Sequence, residues 1–222
     1  MHSYGEWRLK YLDVFNIGLF YYIFPIDNTV SILRNGVHSK NYTKIHFPDA
    51  ASFSWDSVQE RRSQKLITLT GRKEVLLHDV VPLFFNPKNP TLDVKKEDWE
   101  KLAILVIDKN VITDENVEIA FTKGNASRDD AEILRHLKDL DKLDWEIIYG
   151  DYWPHDEKRY GIKWENWKSN RSSEFFIYPK INKTWFRKIL VSNKQSLEII
   201  DAHLNKENKF LESSIDENIF ME

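Results

Sequence analysis

The stretch Ser173-Glu174-Phe175-Phe176-Ile177-Tyr178 places one carboxylate at the start of an apolar β-strand. Side chains alternate between the two faces of a strand, so Glu174 shares a face with Phe176 and Tyr178. A carboxylate in this position lines the mouth of a pocket, where it can stabilise the cation that develops when a glycosidic bond breaks. The pattern leaves a second interpretation open, which is a solvated charge at a strand end.

Aromatic and basic residues interleave in the segment 151–173, which ends directly at Glu174. Aromatic faces stack unpaired bases and cations follow phosphates, so this composition predicts a nucleic-acid substrate. The candidates for substrate binding in this segment are Trp153, Trp164, Trp167 and Arg171. Acidic residues nearly cancel the local charge, so a surface loop with its tryptophans packed into the core is the alternative.

A pair of arginines lies upstream, in a segment whose pattern predicts a helix with Ser54 as its cap. Four residues recur on one face of this helix, namely Val58, Arg62, Leu66 and Leu69. An arginine held on a packed face can bind a pyrophosphate or a base edge through two parallel hydrogen bonds. We therefore assign Arg62 to the site and the adjacent Arg61 to substrate contact. A snorkelling arginine with a wet guanidinium is the alternative.

The apolar segments predict an α+β fold, because strand groups are separated by helices without regular alternation. Strands are predicted at 20–24, 102–107, 117–121 and 189–191. A polar, turn-rich segment is predicted at 41–54, a proline-containing loop at 86–90 and a turn at 123–125.

Two further helices are predicted from capping residues. A short helix over 29–35 has Asp27 or Asn28 as its cap and Gly36 as its end. A longer helix begins at a Ser127 cap and ends near Leu143, and its apolar side consists of Ile133, Leu134, Leu137 and Leu140.

Composition limits the class of protein. The 222 residues include 32 basic and 35 acidic side chains, so the net charge of -3 requires any nucleic-acid site to be a local patch. Cysteine is absent and the histidines lack metal-ligand spacing, so we expect no metal. The apolar run 14–26 is shorter than the roughly 20 residues of a spanning helix, so we expect a cytoplasmic protein without membrane contact. We expect a single domain over 1–211 and an acidic, frayed tail over 212–222.

Several blocks of the sequence, in the same order, resemble the DarT family of DNA ADP-ribosyltransferases over about 20–191. These blocks are Tyr21-Tyr22-Ile23-Phe24-Pro25-Ile26-Asp27-Asn28, Val58-Gln59-Glu60-Arg61-Arg62, Leu77-His78-Asp79-Val80-Val81-Pro82-Leu83-Phe84-Phe85-Asn86-Pro87, Phe121-Thr122-Lys123-Gly124-Asn125-Ala126-Ser127, Leu143-Asp144-Trp145-Glu146, Tyr152-Trp153 and Ser173-Glu174-Phe175. Their order makes the resemblance far more specific than any single motif.

The resemblance implies the ADP-ribosyltransferase fold, in which two small packed β-sheets with flanking helices hold NAD in the cleft between them. It implies NAD as co-substrate, with Glu174 as the catalytic glutamate and Arg62 as the essential arginine. The positions assigned to cofactor binding are Tyr22, Pro25, Asn28, Arg62 and Phe84. It also implies single-stranded DNA as acceptor and a macrodomain antitoxin as partner, in a toxin-antitoxin or phage-defence pair.

The opening block departs from many members of the family, which carry histidines where this chain has Tyr22 and Pro25. Pro25-Ile26 is instead similar to the branch that modifies guanine. Thr91 and Asp93 stand where Met and Tyr are usual, which opens room for a purine if their loop lines the cleft. We therefore predict guanine rather than thymine as acceptor. Transfer to RNA or protein, and a non-catalytic nucleic-acid-binding module, are the alternatives.

Overall fold

Strands and helices are mixed in the computed structural model, which describes residues 4–150, 161–207 and 211–220. Its strands are β1 (Leu19–Pro25), β2 (Val37–His38), β3 (Leu66–Thr68), β4 (Glu74–Leu76), β5 (Val81–Phe84), β6 (Leu102–Asp108), β7 (Glu118–Asn125), β8 (Glu132–Leu134), β9 (Ser173–Tyr178), β10 (Lys180–Ile181), β11 (Phe186–Val191) and β12 (Glu212–Ile215). Its α-helices are α1 (Tyr4–Val14), α2 (Thr29–Asn35), α3 (Lys40–His46), α4 (Asp56–Ser63), α5 (Pro90–Asp93), α6 (Trp145–Tyr149), α7 (Trp164–Arg171), α8 (Lys194–Lys206) and α9 (Glu217–Phe220). The predicted α+β class is confirmed.

Eight of these strands form one sheet in the order β12-β11-β6-β1-β5-β9-β7-β8. Neighbouring strands are antiparallel, except that β11 and β12 are parallel. All seven residues of β1 pair with β6, but β1 pairs with β5 only through Tyr21 and Phe84. The sheet therefore has two four-stranded halves joined by one residue pair, and the two small sheets of the predicted fold take this form.

Alternation along the strands divides the core into three clusters. On β6, Ala103, Leu105 and Ile107 belong to the largest cluster, which also contains residues of α1, α2 and α8. The intervening residues of β6 belong to a second cluster on the opposite face. A third cluster packs the β3–β4 hairpin against Ala120 and Phe176. The second cluster lies mainly on the half that contains β1 and β6, with Phe84 of β5 at its border, and the third lies on the half that contains β7 and β9.

The chain leaves α2 through a turn that requires glycine. Gly36 has a φ of 87°, in the left-handed region that other residues rarely adopt. A Cβ at this position would clash with the carbonyl oxygen of Ile181, on the strand that pairs with β2. The predicted helix and its glycine end are confirmed, although the side chain of Asn28 makes no cap bond.

The arginine helix is shorter than its periodicity predicts. α4 ends at Ser63, and the residue at its N-cap is Trp55 rather than Ser54. The prediction is wrong for Leu66 and Leu69, because Leu66 begins β3 and the hairpin with β4 replaces helical hydrogen bonds there.

The helix predicted from Ser127 is wrong. Ile133 and Leu134 instead lie in β8, which pairs with β7 at the edge of the sheet, and a 3-10 helix follows at Leu137–Lys142. The predicted turn at 123–125 is also wrong, since β7 continues to Asn125 through an irregular register against β9. Short apolar runs satisfy helical and strand periods together, so pattern alone did not separate them.

Two segments expected to be irregular are ordered. The segment 41–54 contains most of α3, whose cap Ser39 accepts a hydrogen bond from the N–H of Tyr42. The acidic tail was expected to fray, and this is wrong for residues 212–220. β12 pairs with β11, and Phe220 of α9 is only 6% exposed.

Across residues 4–150, 161–207 and 211–220, no helix has both the length and the apolar character needed to cross a membrane. The same part of the chain contains no cluster of three or more side chains suited to holding a metal ion.

Candidate active site

Arg62 and Glu174 form an ion pair that connects α4 to β9. The guanidinium donates from Nη1 to Oε1 at 2.7 Å and from Nη2 to Oε2 at 3.0 Å. Arg62 is 8% exposed and Glu174 is 4% exposed, so both charges are buried. Two parallel bonds fix the orientation of both groups and offset part of the cost of removing the charges from water. The two residues predicted to be catalytic therefore lie together.

The neighbouring strands position Glu174 beside the join in the sheet. Its backbone N–H donates to Oγ1 of the buried Thr122 on β7 at 3.0 Å. On its other side Glu174 pairs with Phe84 of β5, and Phe84 in turn pairs with Tyr21 across the join. The carboxylate thus stands where the two halves of the sheet meet.

A cleft of about 840 Å³ opens beside the ion pair. This volume lies within the range of small-molecule and cofactor sites. Its lining includes Glu174 and all five residues assigned to cofactor binding, which are Tyr22, Pro25, Asn28, Arg62 and Phe84. These residues come from β1, β5, β9, α4 and the 3-10 turn Ile26–Asn28, and the fold brings them to one place as predicted.

The loop between α3 and α4 forms part of the cleft, and Asn28 holds it there. The Nδ2 of Asn28 donates to the carbonyl of Ala51, and the N–H of Ala51 donates to Oδ1 of Asn28, both at 2.9 Å. The side-chain amide of Asn28 thus makes the same pair of hydrogen bonds with Ala51 that a backbone peptide group in a neighbouring strand could make. The amide of Asn28 thus organises the cleft wall at the position where contact with the cofactor was predicted.

Several cations line the cleft although the whole chain is acidic. They are Lys40, Lys44, Lys95, Arg128 and Lys168, in addition to Arg62. Burial, followed by the charge of Arg62, lowers the pKa of Lys40 below its usual value. These side chains form the local basic patch that the net charge of -3 made necessary.

His78 is a buried histidine in the wall of the cleft. It is 7% exposed, and its Nε2 has no hydrogen-bond partner in the part of the chain that the structure describes. Burial, with smaller contributions from the charges of Lys40 and Arg62, lowers its pKa to about 4. The imidazole is therefore neutral near pH 7, and it adds an uncharged ring to the cleft that Arg62 and Glu174 line. Burial raises the pKa of Tyr22, which also lines the cleft, to about 12, so its phenol stays neutral too.

The residues predicted to bind substrate are only partly brought together. Arg61 is exposed and does not line the cleft, and Trp153 lies outside the described residues. Trp164 is half-buried and stacks on Trp167, with the ring centres 5.3 Å apart. The assignment of Trp167 is wrong, because its ring is almost fully buried in the fold.

Arg171 is also wrongly assigned to substrate, since its guanidinium binds the protein backbone. Nε donates to the carbonyl of Lys88 at 2.9 Å, and Nη1 donates to the carbonyls of Ile147 and Gly150. These contacts tie α7 to the loop 86–90 and to α6, so the side chain has a structural role.

A family model described as "ssDNA thymidine ADP-ribosyltransferase, DarT" matches residues 21–221, which is almost the whole chain. The chain belongs to the DarT family. The enzyme class follows from this membership, and it is that of DNA ADP-ribosyltransferases. A curated relative from Thermus sp. (strain 2.9), named DNA ADP-ribosyl transferase, is 26% identical over 168 residues, covering 71% of this chain and 73% of the relative.

Solved DarT structures have the same fold. The chain aligns with Thermus sp. 2.9 DarT in complex with ADP-ribosylated ssDNA at a TM-score of 0.78 and 23% identity, covering 93% of this chain and 97% of that one. It aligns with Thermus sp. 2.9 DarT in complex with NAD+ at a TM-score of 0.71 and 21% identity, covering 92% of this chain and 98% of that one.

Sequence reasoning missed several residues of the cleft. His78 lies within a matching block but has no pattern of its own, and its burial depends on the fold. The pair Lys40 and Lys44 had a usable signal, because Ser39 is a good helix cap and residues four apart share a helix face. Trp55 was missed because the helix start was placed one residue too early.

Proposed function

We propose that this chain transfers ADP-ribose from NAD to a base of single-stranded DNA, with Glu174 and Arg62 as its catalytic residues. The observation that carries the proposal is the buried ion pair of these two residues in the wall of a cleft of about 840 Å³. Membership of the DarT family supports it, as do the NAD+ and ADP-ribosylated ssDNA bound in the two Thermus structures.

The reaction replaces one glycosidic bond by another. Nicotinamide leaves the anomeric carbon of NAD with the bonding electron pair, and a neutral nitrogen of the base forms the new bond and releases its proton to water. Glu174 orients the ribose by accepting from its 2'-hydroxyl and stabilises the developing cation. Each carboxylate oxygen has two acceptor sites, so the bonds from Arg62 leave room for this contact. Arg62 holds the carboxylate and engages the phosphates or the incoming base.

The acceptor base is the finer part of the proposal. We propose guanine, although the matching family model is named for thymidine. Pro25-Ile26 resembles the guanine-modifying branch, and Thr91, which replaces a larger methionine of the usual pattern, lines the cleft. A base must leave its stack to reach the ribose, so single strands and loops are the favoured substrates. Asp93 is absent from the lining and carries no part of this argument.

We also propose a biological setting that rests on the family resemblance alone. The chain acts as the toxin of a toxin-antitoxin or phage-defence pair, and a macrodomain partner removes the modification. Co-expression is the direct test, since a macrodomain should relieve growth arrest and remove ADP-ribose from the modified DNA.

The enzymatic proposal is tested by incubating the protein with NAD and short DNA or RNA oligonucleotides, followed by mass spectrometry. We expect nicotinamide release together with a mass increase of one ADP-ribose on single-stranded DNA. Oligonucleotides that lack guanine or thymine identify the acceptor base. Modification that persists on an oligonucleotide without guanine would overturn the choice of guanine. A mass increase on RNA or on a protein, with none on DNA, would favour the alternative acceptors.

The role of Glu174 is tested with Glu174→Gln, because glutamine keeps a hydrogen-bond acceptor beside Arg62. We expect transfer to fall by about 100-fold or more while calorimetric NAD binding is retained, since the charge matters mainly in the transition state. Glu198→Gln, on the surface of α8, is the matched control. Unchanged transfer by Glu174→Gln would remove this residue from the mechanism.

A further inference from the structure

Trp55 presents an exposed indole to the active-site cleft. Its side chain is 54% exposed, and it lines the same cleft as Arg62 and Glu174. The ammonium of Lys95, which also lines the cleft, lies 5.0 Å from the centre of the indole ring. An aromatic face paired with a cation is the combination that single-strand-binding proteins use for a base and its phosphate.

The backbone of Trp55 is fixed relative to the catalytic arginine. Trp55 is the N-cap of α4, and its carbonyl accepts from the N–H groups of Val58 and Gln59, both at 3.1 Å. Arg62 follows seven residues later on the same helix, so the rise of an α-helix separates the two positions by roughly 10 Å along its axis. This backbone separation exceeds the length of either side chain alone, so Trp55 is placed for a nucleotide beside the one that reacts at Glu174.

The cleft that Trp55 lines has more basic than acidic side chains, which is complementary to a nucleic-acid backbone. Four lysines line the cleft, namely Lys40, Lys44, Lys95 and Lys168, while the chain as a whole carries a net charge of -3. A strand that extends through the cleft and leaves it requires an open subsite at the exit. The exposure of Trp55 fits this requirement better than it fits the adenine of NAD, because cofactor pockets bury most of their ligand.

We propose that Trp55 and Lys95 form a subsite for the nucleotide adjacent to the acceptor base. The indole stacks on that base, and the ammonium of Lys95 contacts its phosphate. This inference rests on the proposed transfer to single-stranded DNA. It assigns the subsite to two residues that were not among the substrate-binding candidates predicted from the sequence.

The stacking contact is tested with Trp55→Ala and Trp55→Phe. For Trp55→Ala, loss of one base–aromatic stack corresponds to a rise of roughly 5- to 150-fold in the Kd for an oligonucleotide whose sequence the wild-type protein modifies. Fluorescence anisotropy measures this Kd. Trp55→Phe should keep most of the affinity, and the KM for NAD should stay within about twofold in both variants. Trp7→Ala is the matched control, since Trp7 is 44% exposed and lies outside the cleft lining.

The outcomes separate this inference from the proposed function. If the wild-type protein modifies DNA and Trp55→Ala leaves the oligonucleotide Kd unchanged, the subsite is wrong and the function stands. A raised KM for NAD with an unchanged oligonucleotide Kd would assign Trp55 to the adenine instead and overturn the inference. Failure of the wild-type protein to modify DNA overturns both. Thermal melting of the variants confirms that the exposed substitution leaves the fold intact.

The phosphate contact has its own test in the salt dependence of binding. A lysine that neutralises one phosphate contributes about one unit to the slope of log Kd against log salt concentration, or somewhat less on a single strand. Lys95→Gln should reduce the slope by roughly this amount, whereas Lys194→Gln on α8 should not. An unchanged slope for Lys95→Gln would show that the ammonium does not contact the backbone of the DNA.

Discussion

Adjacent arginines on α4 lie in different surroundings. Arg62 is buried against Glu174, whereas Arg61 is exposed and has no part in the cleft lining. We expect Arg62→Ala to reduce transfer by about 100-fold or more, and Arg61→Ala to change it by less than about threefold. Single-turnover assays on both variants measure the difference. Equal losses would mean that the exposed guanidinium has an essential contact with DNA.

Removing Arg62 also leaves the Glu174 carboxylate buried without its partner. Breaking a buried pair in this way costs about 3–5 kcal/mol of unfolding free energy. Arg62→Lys keeps the charge but loses the two parallel bonds, so it should recover most of the stability and little of the activity. Urea denaturation of the two variants separates the loss of folding from the loss of catalysis.

His78 should lower the free energy of unfolding as the pH falls below neutral. Its pKa is lowered to about 4 in the fold, by burial first and by Lys40 and Arg62 second, against an ordinary value of 6.5. Between these values the unfolded chain takes up the proton and the folded chain does not. The stabilisation is therefore complete above about pH 6.5 and is lost as the pH falls toward 4.

The measurement compares urea unfolding at pH 7 and pH 5. Over this interval the wild-type protein should lose about 2 kcal/mol more unfolding free energy than His78→Gln, which has no proton to gain. His136→Gln, at an exposed site, should follow the wild-type protein. The same acid-side loss in all three proteins would assign the pH dependence to other groups.

At the residue scale, the sequence predicted that Glu174 and the candidate cofactor positions lie together, and in the structure they line one cleft. Glu174 and Arg62 belong to ordered blocks that match a family, and the roles proposed for them rest on that match. The aromatic contacts were harder to predict, because a tryptophan beside cations has the same pattern in a core as in a binding site. Trp167 is a core residue and Trp55 is exposed, and only the tertiary contacts distinguish them.

Among the turns, the one after α2 offers the sharpest test of backbone geometry. Gly36→Ala should lower the unfolding free energy by about 2 kcal/mol or more, because alanine strains the left-handed conformation and its Cβ meets the carbonyl of Ile181. Gly18→Ala is the matched control, since nothing lies within 4 Å of a Cβ there. Equal stability of the two variants in urea would show that the turn after α2 is free to rearrange.

Elements were predictable where one signal dominated. β6 is a continuous apolar run, and α2 has a clear end at Gly36, so both were located within about two residues. β8 was predicted to be helical because its short apolar run also has helical spacing. Its pairing with β7, which no local pattern reports, decides the outcome.

The C-terminal residues contribute to the stability of the whole molecule. Phe220 is buried in the second core cluster and lies edge-on to Trp99, with ring centres 5.6 Å apart. We expect Phe220→Ala to lower the unfolding free energy by about 3 kcal/mol, the lower end for loss of a buried phenylalanine. Ile215→Ala, at an exposed position of β12, should cost less than about 1 kcal/mol. A negligible loss for Phe220→Ala would support the frayed tail that composition alone suggests.

The narrow join of the sheet links substrate range to residues far from the substrate. Tyr22 and Glu174 stand on opposite halves, whose strands share only the pair of Tyr21 and Phe84. Behind the join, Phe20 of one half stacks on Phe175 of the other with ring centres 4.5 Å apart. Because these two rings pack between the halves, we expect a change in their bulk to alter the spacing between Tyr22 and Glu174. Substitutions at these two positions can therefore change which acceptor fits while every residue that lines the cleft stays the same, so related enzymes can diverge in target through changes that a comparison of their active sites would miss.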